Sequence, residues 1–332
     1  MKQLIIDDNT LKKLKDIIDI EDYLTVLAPY YPNLKITKYS IEEIEKALYI
    51  VFFKLIGKII FISPLNMRRF LKDYLMKYEI MNIKEIILGL IIGMNTEEKL
   101  KNVNMLIEKY LENTEFINKL IEISTLQGIQ LYMKPTKYNK AIREGLLYFK
   151  NKNEIFVLEA FLDQLYYITM IQREKIYNVK EREMISLFNR YKAEIYNINL
   201  IYRGITNNID KQLLSQFIVN YFLFLDENKI DLLLNQNNLN DFFLTIDDLF
   251  RPIVELKYIG NLSNSEHPIW ELERIFQEYY FRKFRMKMDD IEYQTIYKIL
   301  ELIIKKEKEI KREIIPNIVN IINKKFTILE LK

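Results

Sequence analysis

The chain has 332 residues, 49% hydrophobic and 29% charged, with 49 Lys and Arg against 46 Asp and Glu, a near-balance of +3. This describes a folded chain long enough for two or three domains, and it speaks against nucleic-acid binding by counterion release, which calls for a basic excess. With no cysteine and a single histidine, His267, the inventory also excludes disulfide frameworks, thiolate nucleophiles, Cys/His zinc sites and triads needing another histidine.

Along the chain, Asp7 and Asp8 interrupt the apolar run that a secretory leader would need, so none is expected. Ser40 with Glu43 forms a capping-box pattern ahead of a strongly apolar helix, 47–62. Lys54 and Lys58 break that helix on one face, leaving no membrane span. Leu71, Tyr74, Leu75 and Tyr78 make an i, i+3, i+4, i+7 stripe, which predicts a core-facing helix. Thr96 is the expected N-cap of the next helix, and 101–123 carries another apolar stripe. Gly128 and Pro135 bracket a break. A helix through Leu158, Phe161, Leu162 and Leu165 follows, then an apolar helix from Leu213 to Leu225, then a polar Asn-rich break at 235–240. His267, before Pro268, is expected in a surface loop, and the cluster Arg282 to Lys287 is expected to be a solvated helix face. Segment 301–312 is so charged that it needs an exposed face. Glycine and proline, seven each, are too sparse for a sandwich or barrel, so the fold class is all-α.

Superposed on these elements is a long repeat. Glu45 precedes Phe52-Phe53, Glu159 precedes Tyr166-Tyr167, and Glu273 precedes Tyr280-Phe281, each at the same offset and at intervals of 114 residues. An Asn-Ile pair returns downstream at Asn82, Asn197 and Asn317. A period of this length is a small domain rather than a solenoid unit. It predicts three similar helical domains, 1–127, 128–240 and 241–332.

Glu79 and Glu194 each lie three residues before the asparagine and so share its helix face, while in the third copy the acid is Glu313, four before Asn317. Amides beside an apolar stripe need partners, which favours satisfied polar networks over a reactive site. The aromatic pairs read as core contacts rather than base-stacking platforms, and Asp163 as a helix–helix contact. The sequence holds no phosphate loop, so direct nucleotide binding is not expected; neither is a cofactor or a metal.

The order and spacing of these motifs resemble the C subunit of archaeal and bacterial A/V-type ATPases, known as the d subunit in the eukaryotic vacuolar enzyme. One hallmark helix of that family matches Leu158-Glu159-Ala160-Phe161-Leu162-Asp163-Gln164-Leu165-Tyr166-Tyr167. Another matches 194–204, with Asn197 and with Arg203-Gly204 in place, and Phe70 to Lys84 looks like the same helix in the first copy. The family's aspartate is glutamate here at 79 and 194, and its arginine is Leu88 in the first copy and Asn323 in the third. The resemblance implies a funnel of three domains with pseudo-threefold symmetry. It implies a non-catalytic rotor adaptor between the central-stalk subunits and the membrane rotor ring, peripheral on the cytoplasmic face. Competing readings are a helical scaffold or regulator outside any ATPase, a nucleic-acid binder using Tyr166-Tyr167 and the 282–287 cluster, and an enzyme.

Overall fold

The computed structural model describes residues 4–36, 39–152, 154–258 and 260–330, and for 292 and 324–330 the backbone alone; the outermost residues of the first and third predicted domains lie outside that description. Among the described residues every regular element is helical. From the start run α1 Asp8–Asp16, α2 Ile20–Leu27, α3 Ile41–Ile62 and α4 Leu65–Ile91, then the short α5 Thr96–Asn102, α6 Met105–Leu111, α7 Thr114–Glu122 and α8 Leu126–Met133. Next come α9 Asn139–Lys152, α10 Phe156–Arg173, α11 Val179–Thr206, α12 Lys211–Ser215, α13 Glu227–Leu234 and α14 Leu239–Phe250. The last are α15 Pro268–Arg285, α16 Ile291–Lys308 and α17 Ile315–Glu330, the final two joined through a π-helical segment, Glu309–Ile314.

The helices start where side chains satisfy the orphan N–H groups of a first turn. Ser40 caps α3 by accepting from Glu43 N. Asn95, not the expected Thr96, caps α5, because its amide oxygen reaches Glu98 N while the Glu98 carboxylate returns to Asn95 N. Asn178 and Glu181 close the same reciprocal box on α11. Pro268 occupies the first turn of α15, and His267 before it is exposed with its ring 4.3 Å from that of Trp270.

The chain divides into two compact units, one of residues 1–71 with 295–332 and the other of residues 72–294. In the first, α17 packs on α2 and α3 around Tyr23, Tyr31, Ile44, Leu48 and Phe52, all fully buried. The two ends of the chain thus share one core. In the second, α9 lies against α10 and α11 against both α10 and α15. Gly145 allows the first of these contacts: a Cβ there would come within 2.7 Å of the Leu158 backbone.

Candidate functional site

Glu79 with Asn82, and Glu194 with Asn197, are carried by the two long helices α4 and α11. Asn82 and Asn197 are buried at equivalent places on them, and each grips the backbone of the residue 22 positions on. Asn104 N donates to Asn82 Oδ1 at 2.9 Å and Asn82 Nδ2 donates to Asn104 O at 3.3 Å. Val219 N donates to Asn197 Oδ1 at 2.9 Å and Asn197 Nδ2 donates to Val219 O at 2.9 Å. A primary amide offers one peptide both an acceptor and a donor, so it holds a crossing segment as a neighbouring strand would. Asn104 is also the N-cap of α6, so in the first copy the clamp fixes where a helix begins.

The glutamate one turn earlier clamps a second stretch. Glu194, fully buried, accepts from Leu223 N at 2.6 Å, Phe224 N at 2.9 Å and Leu225 N at 3.1 Å. Burial pushes its pKa up, while those three N–H groups and the Lys229 charge pull it back. Glu79 uses side chains instead: Asn113 Nδ2 and Tyr138 Oη each donate at 2.6 Å, and Lys137 Nζ stands 3.3 Å away. Replacing Asn197 with leucine strands the Val219 N–H and C=O and should cost about 1–3 kcal/mol. Urea titration measures this directly, and an unshifted midpoint would show the clamp to be idle.

In the third copy the expected acid is displaced. Glu313 lies 3.9 Å from Lys15 near the surface, whereas the buried acid is Glu309, 115 residues after Glu194 as Glu194 is after Glu79. Glu309 accepts from Ile6 N at 2.8 Å and from Tyr31 Oη at 3.4 Å, and Lys306 Nζ lies 3.0 Å away. The Glu–Asn spacing is eight residues here against three in the first two copies, and the stretch opens with the π-helical segment Glu309–Ile314. Asn317 Nδ2 donates to Tyr23 Oη at 3.5 Å.

The repeated glutamates at the helix starts meet cations rather than each other. Glu159 accepts from Arg203 at 2.6 Å, Glu273 pairs with Lys192 at 2.7 Å, and half-buried Glu45, its pKa raised by burial, feels the opposing charge of Lys311. Asp163 pairs with Lys84 at 2.7 Å, tying α10 to α4 as Glu273 ties α15 to α11. Phe52, Phe53, Tyr166, Tyr280 and Phe281 are buried. Tyr167 packs on Tyr196 at 4.6 Å, and Tyr280 donates to Met184 O at 3.3 Å, so these rings join helices. The basic cluster is partly spent internally, Arg282 on Glu255 O and Lys287 on Glu183.

Sequence reasoning missed several buried acids whose partners are remote in the chain. Glu108, fully buried, accepts from Asn82 Nδ2 at 2.6 Å. Glu174 accepts from Asn189 at 2.8 Å and Tyr221 at 2.7 Å, and Asp247 from Tyr258 Oη and Leu262 N. A cleft of about 210 Å³ between α4 and α10 is lined by Met81, Lys84, Glu85, Leu88, Ile155, Leu158 and Glu159. Among the described residues no acid, cysteine or histidine cluster could hold a metal ion, and no helix is long and apolar enough to cross a membrane.

The residues that recur hold backbone to helix and helix to helix within an all-helical chain. The chain belongs to the ATP synthase (C/AC39) subunit family, whose model matches residues 1–316. It is 25% identical to the C subunit of the A-type ATP synthase of Methanocaldococcus jannaschii, over 64% of this chain and 52% of that one. Against the proteins of the same name from Pyrococcus furiosus and Methanosphaera stadtmanae the identities are 23% and 22%, over 66% and 65% of this chain and 57% and 54% of theirs. The match thus spans about half the length of these relatives.

Proposed function

We propose that this chain is the non-catalytic rotor adaptor of an A/V-type rotary ATPase, peripheral on the cytoplasmic face, receiving the central stalk and seated on the membrane rotor ring. The observation that carries the reading is the recurrence of one clamp: Asn82 and Asn197, each binding both backbone groups of the residue 22 positions on. An identical device on α4 and α11 supports a chain built from copies of one domain. We propose three such copies, at 1–127, 128–240 and 241–332, arranged as a funnel about a pseudo-threefold axis.

Three helix contacts support that arrangement, since each helix that carries an aromatic pair packs on the long helix of the copy before it, the first copy following the third. These are α10 on α4 through Asp163 and Lys84, α15 on α11 through Glu273 and Lys192, and α3 on α17. In the third copy the clamped backbone comes from the chain start, Glu309 holding Ile6 N as Glu194 holds 223–225. Copies that pack head to tail in this way generate a closed ring when the rotation closes. A closed ring suits a part that must transmit torque between a shaft and a rotor, and it requires no bond chemistry. The shared work of the repeated polar groups is then rigidity.

Reconstituted complexes with and without the chain test the reading. ATP hydrolysis by the catalytic head is expected to persist without it, while ion pumping is expected to be lost. Unchanged pumping in its absence would overturn the adaptor role. Calorimetric titration of the isolated chain with ATP should give no binding heat, since the sequence lacks a phosphate loop.

A further inference from the structure

We infer that the turn between α3 and α4 is a lipid-contacting element that docks on an anionic bilayer surface; the inference rests on the membrane-peripheral reading above. At this turn Phe61, Ile62 and Leu65 stand 83%, 78% and 59% exposed. Phe61 and Ile62 end α3 and Leu65 opens α4, with only Ser63 and Pro64 between them. Three large apolar side chains within five residues form a patch that water does not favour.

The charges around the patch identify what covers it. Between Glu45 and Asp73 the sequence carries no acid, and Lys58, Arg68 and Arg69, all exposed, flank the apolar trio. Apolar tips beside long basic side chains match a lipid interface. The tips enter the boundary of the acyl chains while Lys and Arg lie along it and keep their charges among the phosphates.

The two later turns also expose apolar side chains, though fewer of them. At the 114-residue interval, Ile176 and Val179 occupy the positions of Ile62 and Leu65; Val179 is 82% exposed and Lys175 beside them is exposed as well. The turn after α15 leaves Met286 and Ile291 at 85% and 76% exposure, close in sequence to exposed Lys283 and Arg285. The third turn is out of this register, since Asp289 and Asp290 stand two intervals after Phe61 and Ile62. Near the two later turns the pairs Lys180–Asp290 and Lys287–Glu183 neutralise part of the charge, so the α3–α4 turn is the strongest of the three.

The test is co-sedimentation of the full chain with vesicles of phosphatidylcholine containing about 30% phosphatidylserine, and with vesicles of phosphatidylcholine alone. The full chain should bind the anionic vesicles and release as salt is added. The variant Phe61→Ser/Ile62→Ser/Leu65→Ser should bind roughly 100-fold more weakly, and Lys58→Gln/Arg69→Gln roughly 10-fold more weakly. Because all five side chains are exposed, both variants should keep the parent's circular dichroism and melting curve. Absence of binding to either vesicle, or equal binding by the apolar variant, would overturn the inference. So would binding that appears only when rotor-ring protein is added. The vesicles contain no other ATPase component, so a negative result leaves the adaptor reading standing, and a failed pumping assay leaves the vesicle result standing.

Discussion

Replacing Lys306 with methionine is expected to cost about 3–5 kcal/mol of folding stability. Lys306 is almost fully buried, and its ammonium has no water to fall back on. Nζ donates to Leu4 O at 2.5 Å and Tyr30 O at 3.2 Å, stands 3.0 Å from Glu309, and lies 3.6 Å from the centre of the Tyr31 ring. Methionine fits the volume but leaves two backbone carbonyls and the Glu309 carboxylate without their cation. Burial alone lowers the Lys306 pKa and raises that of Glu309, and each partner draws the other back toward its charged form. The double variant Lys306→Met/Glu309→Leu should therefore recover part of the loss, because it removes both charges together. Because Ile6 N and Leu4 O both end on this pair, the chain start should be released first, and amide exchange at Ile6 should speed up in the single variant. A single variant as stable as the parent would mean that the pair contributes nothing to joining the chain ends.

The fold class was legible because helical spacing of apolar residues is a local signal. The stripe Leu71, Tyr74, Leu75, Tyr78 needs only one helix to be recognised, and all four side chains are buried. Glu79, Asn82, Glu194 and Asn197 were legible through recurrence, which marks a position without revealing its partner. Nothing local in the sequence points from Asn82 to the Asn104 backbone, or from Glu194 to 223–225. The Glu309 pair was still less visible, because its partners Ile6 and Tyr31 lie at the opposite end of the chain. One signal could have found it: Glu79, Glu194 and Glu309 are spaced by 115 residues each. Reading the third copy from Asn317 instead led to Glu313, because the Glu–Asn spacing is eight residues there and three in the first two copies. Glu108, Glu174 and Asp247 carry no sequence mark at all; a glutamate beside a leucine stripe reads the same whether it faces solvent or a buried amide.

Replacing Glu108 with glutamine should remove a pH dependence worth about 5 kcal/mol across the range from weakly acidic to alkaline pH. Glu108 is fully buried, and burial is the main cause that lifts its pKa from 4.5 to about 8. The hydrogen bond from Asn82 Nδ2 opposes the shift, the Glu79 carboxylate adds to it, and the Lys137 charge opposes it. The other groups gathered at this site are Asn113 and Tyr138, which donate to Glu79. Because the folded state keeps a proton that the unfolded chain releases near pH 4.5, stability is fully present below that value. It declines as pH rises through about 8, where the native carboxyl finally ionises. Glutamine keeps an oxygen for Asn82 Nδ2 and cannot ionise, so the variant should match the parent near pH 4.5 and exceed it increasingly toward pH 9. Other raised carboxyls, such as Asp73 at about 6, titrate in both proteins and cancel in the comparison. Urea midpoints of the two proteins at a series of pH values measure the difference. Parallel curves would mean that Glu108 is ionised in the folded protein at neutral pH and that the buried contact with Asn82 is a stable charged one.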